Sequence, residues 1–244
     1  MFDALAITEA GMLNDVQRLH SIGHNVANAG TVGFKREIAA TRPFVEYLDG
    51  APPTDDPAGM STRMRPVMTL HLDHSDGALK YTGNPLDVGL EGAGFFAVAT
   101  AAGEAYTRQG NFRLDANGRM VTAGGQPLVG MGGDIQLSRP DPRIDAQGNV
   151  WEGTTQVGRL KIVEIKNIDG MARLGEGLFL PDAGDVSTSE STRVRQGFSE
   201  VSNVVAMNEM IKMIETVRHF EASQRLLRGY DAMLDRAINN GGEV

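Results

Sequence analysis

Residues 25–35 read Asn-Val-Ala-Asn-Ala-Gly-Thr-Val-Gly-Phe-Lys, and they end an amphipathic segment that begins at Met1. The helical pattern of apolar residues stops here because Gly30 and Gly33 have poor helix propensity, and glycine commonly follows the last residue of a helix. The stretch therefore predicts the point where an N-terminal helix ends and the chain turns away.

The same stretch carries polar side chains at short intervals. Asn25, Asn28 and Thr31 are side chains that can pair with backbone groups left open at a bend. We expect all three to stabilise the turn that follows the helix.

An apolar stripe runs along the predicted N-terminal helix. Four of its residues recur every seven positions and two lie beside them: Leu5, Met12, Leu19 and Val26, with Val16 and Ile22. This spacing is typical of a helix that packs along a near-parallel partner. Two interior glycines, Gly11 and Gly23, each cost about 1 kcal/mol relative to alanine, so packing must supply most of the stability. An ordinary surface helix of a globular domain is the alternative interpretation.

A longer helical pattern begins at Ser202. Alternate steps of four and three residues give a mostly apolar stripe: Ala206, Met210, Met213, Val217, Phe220, Gln224, Leu227, Asp231, Leu234 and Ile238. Ser202 or Asn203 is expected to cap the start of this helix, and Gly241-Gly242 to end it. Three further apolar residues lie beside the stripe: Met207, Ile211 and Ile214. We expect the two terminal helices to pair as a coiled coil, and the remaining apolar residues to face other subunits.

Prolines and glycines divide the middle of the chain. Repeated prolines between residues 37 and 66 rule out a continuous helix and predict a connector with extended segments and a flexible middle around residues 51–59. From residue 81 to 168 the pattern is that of short strands separated by glycine turns, including a hairpin around Ala102-Gly103.

Two stretches of the predicted β region resemble each other. Residues 113–118 read Arg-Leu-Asp-Ala-Asn-Gly and residues 143–148 read Arg-Ile-Asp-Ala-Gln-Gly, so each predicts the tip of a hairpin. Residues 158–165 have a different pattern, in which apolar residues occupy both faces of the predicted strand. They place Leu160 and Ile162 on one face and Val163 and Ile165 on the other, which is typical of a central strand covered on both sides.

Composition argues against several classes of protein. The 244 residues carry a net charge of −8, which argues against binding of nucleic-acid phosphates. Cysteine is absent, so neither disulfides nor thiolate metal sites are available. No apolar run approaches the roughly 18 residues that cross a bilayer, and the start lacks the positive charge of a cleaved secretion signal. We expect no direct membrane span and a chain that is either cytosolic or exported without a cleaved signal.

Histidines supply the candidate metal ligands. His20 and His24 lie four positions apart on the predicted helix, but the glutamate that zinc proteases place between such residues is missing. A second group offers ligand types without a recognised spacing: His71, Asp73, His74 and Asp76. Solvent-facing or interface histidines and a polar strand face are the favoured interpretations. We predict no catalytic residue, cofactor, metal or small-molecule substrate; a metal-binding protein or enzyme that uses these histidines is the alternative class.

Motifs at both ends and in the centre resemble the flagellar rod and hook family of axial proteins. The N-terminal family signature corresponds to Asn25, Asn28, Thr31, Gly33 and Phe34, within residues 27–35 and the helix before them. Central blocks also match, in order: residues 84–88, 94–98, 106–112 and 121–125. The C-terminal blocks that match are residues 200–204, 210–211 and 218–221, and the first of these contains Asn203. The chain departs from the family at His24 and Val205, where asparagine is usual.

The resemblance implies a non-enzymatic building block that polymerises helically into a hollow, torque-transmitting rod in the periplasm. Its partners would be further copies of the chain, other flagellar axial proteins and the flagellar type III export apparatus. The short length leaves no room for the outer domain of a hook subunit. Within the family the chain looks most like proximal-rod subunits, with distal-rod subunits as the alternative.

These observations predict an α+β protein with a discontinuous helical domain from both termini and a central, mostly antiparallel β domain. The expected boundaries are 1–36, 37–80, 81–187, 188–201 and 202–244. The apolar stripes of the two terminal helices are the predicted subunit interface, and we expect the helices to become ordered on assembly. A soluble adaptor with a two-helix coiled coil and no filament is a further alternative.

Overall fold

The computed structural model describes residues 2–41, 68–168, 171–181, 184–189 and 191–241. Within these ranges the chain is α+β, as the sequence predicted. A long helix lies near each end, and the strands between them are mostly antiparallel. Helix α1 spans Phe2–Ala27, and helix α2 spans Ala206–Gly241. The expected flexible connector around residues 51–59 lies outside the described residues.

The strands are short and are numbered in chain order. They are β1 (Glu37–Thr41), β2 (Met68–Leu72), β3 (Leu79–Tyr81), β4 (Val88–Glu91), β5 (Gly94–Thr100), β6 (Gly103–Thr107), β7 (Arg113–Leu114), β8 (Met120–Val121), β9 (Val129–Gly130), β10 (Gly133–Asp134), β11 (Arg143–Ile144), β12 (Asn149–Glu152), β13 (Thr155–Arg159), β14 (Ile162–Ile165), β15 (Ala172–Gly175), β16 (Leu178–Leu180), β17 (Val186–Thr188), β18 (Arg193–Gln196) and β19 (Phe198–Glu200).

The chain divides into two compact units. The helical unit comprises Met1–Ala27, Glu37–His71 and Val205–Val244, and the β unit comprises Asn28–Arg36 and Leu72–Val204. The backbone therefore passes from one unit to the other four times, after residues 27, 36, 71 and 204. Both units are discontinuous in sequence.

A six-stranded sheet with the order β15-β16-β6-β5-β14-β17 forms the centre of the β unit. Both of its faces are covered: Phe96 and Ile162 belong to one buried apolar cluster, while Phe95, Val163 and Ile165 belong to another. The predicted covered strand is thereby confirmed in β14, which is an inner strand. The continuous strand expected over 158–165 is instead divided between β13 and β14, which lie in different sheets.

The two similar hairpin tips are confirmed and share one geometry. Strands β7 and β8 flank the first, and β11 and β12 flank the second. Asp115 Oδ1 accepts hydrogen bonds from the backbone N–H groups two and four residues later, and Asp145 Oδ1 does the same. Gly118 and Gly148 close the turns with φ values of 75° and 80°, a region that favours glycine.

Smaller sheets complete the β unit. Strands β11, β12 and β13 form a three-stranded sheet, and pairs form between β3 and β19, β4 and β18, β7 and β8, and β9 and β10. The segment 188–201, which we expected to be a connector, contains β18 and β19. Only Val194 is apolar and buried in the run Arg-Val-Arg-Gln of β18, so the local pattern gave little sign of a strand.

Candidate assembly site

Helices α1 and α2 of the helical unit lie side by side and run in opposite directions. Near the end of α1, Asn25 Nδ2 donates a hydrogen bond of 3.2 Å to Glu209 Oε2 near the start of α2. Ten residues earlier on α1 and ten later on α2, the Nδ1 atom of His219 lies 2.6 Å from Oδ2 of Asp15. Equal steps in opposite directions mean an antiparallel pair.

Polar residues occupy much of the buried surface of this helix pair. Those that are almost fully buried are Asp15, Ser21 and Asn25 on α1, with Glu209 and Thr216 on α2. Sequence patterns did not predict this polar contact face, because only apolar residues were used to locate the seam. The signal was present: residues 209, 213, 216, 220, 223 and 227 of α2, all buried or partly buried, follow the same alternation of four and three.

Asn25 is the central residue of the polar contact. Its side chain is 0% exposed, donates to the carbonyl oxygen of Glu37 at 2.8 Å and accepts from the N–H of Glu37 at 2.8 Å. The amide thereby holds β1 beside the end of α1 in the way a neighbouring strand would. Glu209 is held on its other side by Lys212 Nζ at 2.6 Å.

Apolar residues form an exposed stripe on the first half of α2. Its five members are between 39% and 68% exposed: Met207, Met210, Ile211, Ile214 and Val217. At 100° per residue, Ile214 lies about 140–160° around the helix from Glu209 and Thr216. The stripe therefore points away from α1. Helix α1 has exposed apolar residues of its own, namely Ile7, Leu13 and Val16.

The predicted seam residues fall into three groups. In the first group, Ile22 is buried and six residues are partly buried: Met12, Leu19, Val26, Met213, Phe220 and Leu227. Six are exposed: Val16, Met207, Met210, Ile211, Ile214 and Val217. The side chains of Leu5, Leu234 and Ile238 lie outside those that the structure describes.

Most residues of the N-terminal motif belong to the β unit. Thr31 Oγ1 donates to Asn28 Oδ1 at 3.2 Å, which tightens the turn after α1. Gly33 N–H donates to the carbonyl oxygen of Glu200 at 2.8 Å. The ring of Phe34 is buried beneath the Arg173 guanidinium, 5.2 Å from its centroid. These contacts fasten the segment 28–36 to the sheet strands.

Lys35 ends the motif in a buried charge cluster. Its Nζ atom lies 2.7 Å from Glu200 Oε1 and donates to the carbonyl oxygen of Ser75, also at 2.7 Å. Arg108 Nε lies 3.2 Å from Glu200 Oε2, and Arg108 also pairs with Asp76. Burial lowers the pKa of Lys35, and the attraction of Glu200 offsets only part of that effect.

Asn203 joins three segments of the β unit. Its Oδ1 accepts from the N–H of Arg36 at 2.8 Å, and its Nδ2 donates to the carbonyl oxygen of Asp73 at 2.8 Å. Arg36 and Asp73 also form an ion pair of 3.0 Å. Burial alone would raise the pKa of Asp73, but hydrogen bonds from Ser75 and the charge of Arg36 lower it overall. Neither Ser202 nor Asn203 caps α2, because the helix begins only at Ala206.

Most of the candidate metal ligands are engaged in other contacts. His24 Nδ1 lies 3.2 Å from Glu37 Oε1, and His71 Nε2 lies 3.0 Å from Thr69 Oγ1. His74 packs edge-on against Phe179, while His20 is exposed. Asp73 and Asp76 pair with arginines, as described above. In the part of the chain that the structure describes, no group of three or more potential ligands is placed to hold a metal ion.

Two segments of the chain match known families. Residues 89–152 match the flagellar hook protein FlgE/F/G D1 domain, and residues 195–240 match the C-terminal region of flagellar basal body rod FlgEFG proteins. The flagellar basal-body rod protein FlgF of Mesorhizobium japonicum is 30% identical, over 99% of this chain and 99% of its own length. The chain belongs to the flagellar basal-body rod protein family. Two FlgG rod proteins are similar to about the same extent. The FlgG of Buchnera aphidicola from Acyrthosiphon pisum is 31% identical, over 97% of this chain and 98% of its own length. The FlgG of Bacillus subtilis is 29% identical, over 94% of this chain and 96% of its own length.

Membership of the rod protein family confirms the resemblance drawn from the motifs. Rod proteins are structural components of the flagellar basal body and serve motility; they are not enzymes. The two matched segments include most of β4, all of β5 to β12 and most of α2, so part of the β unit and the exposed apolar stripe lie in regions that the family models match. Neither described helix combines the length and apolar character needed to cross a membrane.

Proposed function

We propose that this rod protein polymerises helically through its terminal helices into a hollow shaft that transmits torque. The observation that carries the proposal is the exposed stripe of Met207, Met210, Ile211, Ile214 and Val217. Contiguous apolar surface of this kind marks an interaction site in a soluble protein. Fully burying one such side chain is worth about 1.5–3 kcal/mol, so several together give a strong association.

The direction of the stripe favours a second subunit as its partner. Glu209, which accepts a hydrogen bond from Asn25 of α1, and the buried Thr216 lie on the far side of α2 from the stripe. An interface between this stripe and a different surface of the next copy, such as the exposed Leu13 and Val16 of α1, would be heterologous. Repeated heterologous contacts that do not close into a ring generate helical filaments. Other axial proteins with a similar helix pair would bind the last subunit in the same way.

Glutamate substitutions in the stripe test the proposal. We expect Met210→Glu and Ile214→Glu to abolish rod assembly and motility, because each would place a charge in the subunit interface. The purified variants should keep the circular dichroism of the parent chain. Asn208→Glu is the matched control, since it adds the same side chain to the same turn of α2 at an exposed polar position. Normal motility of the stripe variants, or loss of motility in the control, would refute the proposal.

We also propose that the terminal helices become more ordered when subunits assemble. Hydrogen exchange on the isolated chain measures this order: amides of residues 2–27 should exchange much faster than those of β5 and β14. Strong protection of the whole of α1 in the monomer would contradict the idea.

Export through the flagellar type III apparatus is a further part of the proposal. In a strain that lacks this apparatus, the chain should accumulate inside the cell and be absent from basal bodies.

The position along the rod is proposed to be proximal. Deletion of the gene should then stop assembly before the distal rod, whereas a completed distal rod would contradict that position.

A further inference from the structure

Two methionines begin the exposed apolar stripe of α2. Met207 is 68% exposed and Met210 is 49% exposed, and their spacing of three residues places both side chains on one face of the helix. Met120 and Met171 of the β unit are instead buried. The thioether groups of the two stripe methionines are therefore open to dissolved reagents in the isolated chain, whereas those of the two core methionines are covered.

An exposed thioether is open to two-electron oxidation. Hydrogen peroxide supplies one oxygen atom: its O–O bond breaks, a bond forms between sulfur and oxygen, the sulfur loses two electrons, and the second oxygen leaves as water. The product, methionine sulfoxide, is polar and chiral, and methionine sulfoxide reductases return it to the thioether. Oxidation at Met207 and Met210 therefore changes the polarity of the stripe reversibly.

The position of these methionines decides what oxidation does to the protein. The side chains beside them in the stripe, Ile211, Ile214 and Val217, carry no polar atom, so a surface that packs against the stripe meets no hydrogen-bonding side chain there. Burying a sulfoxide oxygen without a hydrogen-bond partner costs free energy. The folded chain alone does not bear this cost, because Met207 and Met210 are already exposed. Oxidation at these positions therefore acts on association and not on folding.

We propose that Met207 and Met210 are an oxidation site at which peroxide prevents a free subunit from joining the rod. This inference rests on the assembly through the stripe proposed above. A subunit that carries the sulfoxides keeps its fold but lacks an apolar surface at the start of the stripe. A subunit already in the rod has the same side chains buried in the interface, so assembly protects them from the oxidant.

Peptide mapping after peroxide treatment of the full, isolated chain tests the modification. We expect sulfoxide to form at Met207 and Met210 at least about tenfold faster than at Met120 and Met171. Met131 is 53% exposed in the β unit and is the reference for an accessible methionine outside the stripe. The oxidised chain should keep the circular dichroism of the parent. Oxidation of the stripe methionines as slow as that of the buried ones would overturn the proposal.

Matched substitutions test the consequence for assembly. Glutamine is polar and close in length to methionine sulfoxide, so the double variant Met207→Gln, Met210→Gln should lose motility. The double variant Met207→Leu, Met210→Leu should keep it, because leucine preserves both the apolar surface and the helix propensity. Met131→Gln is the control outside the stripe and should leave motility unchanged. A motile glutamine double variant would overturn the proposal.

Cells exposed to sublethal peroxide provide the direct test. We expect the sulfoxide content at Met207 and Met210 to be at least about tenfold lower in purified basal bodies than in the unassembled pool. Equal content in the two pools would overturn the proposal.

Failure of the oxidation site is distinguishable from failure of the assembly proposal. Motility of the glutamine double variant together with loss of motility in Met210→Glu and Ile214→Glu would reject only the oxidation site. Motility of all these variants would reject the stripe as a subunit interface, and the oxidation site with it.

Discussion

Gly33 occupies a backbone position that accepts only glycine. Its φ is 65°, and an added Cβ would lie 2.7 Å from the carbonyl carbon of Arg108 and from the backbone nitrogen of Gln109. Backbone atoms cannot move aside as a flexible side chain would, so the site excludes any larger residue. A Cβ added at Gly30 would have no atom within 4 Å. The two glycines of the motif therefore have different roles.

Alanine substitutions should separate these two glycines. We expect Gly33→Ala to lower the free energy of unfolding by at least about 2 kcal/mol, from the positive φ together with the contact to Arg108 and Gln109. Gly30→Ala should change it by no more than about 0.5 kcal/mol. Urea denaturation of the purified chain measures both. If the two substitutions lowered the free energy of unfolding equally, the positive φ and close packing at Gly33 would not be the reason that glycine is needed there.

At the scale of single residues, the sequence alone predicted part of the contacts made by the N-terminal motif. Asn25 was expected to pair with backbone groups near the bend, and its two bonds to Glu37 confirm that expectation. The burial of Lys35 was not predicted, because lysine is normally exposed and its partner Glu200 lies 165 positions away in the chain. No local pattern reports a pairing over that separation.

Helix α2 shows what periodicity can and cannot locate. A helix over the C-terminal residues was predicted correctly, and Met213, Phe220 and Leu227 are partly buried. The stripe through Met210 and Val217 is exposed instead. A helix with apolar residues on two faces gives the same period for either face, so the apolar periodicity alone could not decide which face meets α1. That choice is made by buried polar pairs such as Asn25 and Glu209.

The start of α2 offers a prediction at the scale of the element. Val205 occupies the N-cap position, since its carbonyl oxygen accepts from the N–H of Glu209, and valine supplies no side-chain acceptor for the open N–H groups of the first turn. Val205→Asn should stabilise the chain by about 1 kcal/mol, whereas Val205→Ala should not. Amide hydrogen exchange over residues 206–210 is the measurement. Faster exchange in the asparagine variant would contradict a capping role.

Carboxylates across the β unit predict how the whole molecule responds to acid. Hydrogen bonds lower the pKa values of Asp115 and Glu164. At Asp145 burial acts in the opposite direction, but hydrogen bonds donated by Asn149 and Gln147 still lower the pKa overall. A folded-state pKa below the unfolded value adds stability that is complete above the unfolded pKa and is lost as the pH falls through the folded one. We expect the free energy of unfolding to be nearly constant near neutral pH and to decrease below about pH 4.

A single substitution checks the origin of this acid sensitivity. Asp145→Asn keeps the Oδ1 acceptor of the turn but removes the titrating group, so the loss of stability below about pH 4 should be smaller than in the parent chain. Denaturant midpoints measured from pH 2 to pH 7 provide the comparison. Stability that rises on acidification, or an identical acid profile in the variant, would contradict the assignment.

At the scale of the whole molecule, the α+β class and the helix near each end followed from periodicity, and the hairpin tips followed from the aspartate and glycine spacing. Strands β18 and β19 did not, because their pairing with β4 and β3 joins segments about 100 residues apart. The sequence predicted a helical domain from both termini and a central β domain, but not that residues 28–36 belong to the β unit. The division depends on where segments such as 28–36 dock, and those contacts are nonlocal.

The four passages between the units also set an order of events during synthesis. Most of the β unit is made from residues 72–204, so it can fold as soon as that stretch and the earlier segment 28–36 have left the ribosome. Helix α1 is translated first but meets α2 only when the last 40 residues of the chain appear. The two terminal helices are therefore the last parts of this protein to meet, and the exposed apolar stripe of α2 is made only after the β unit.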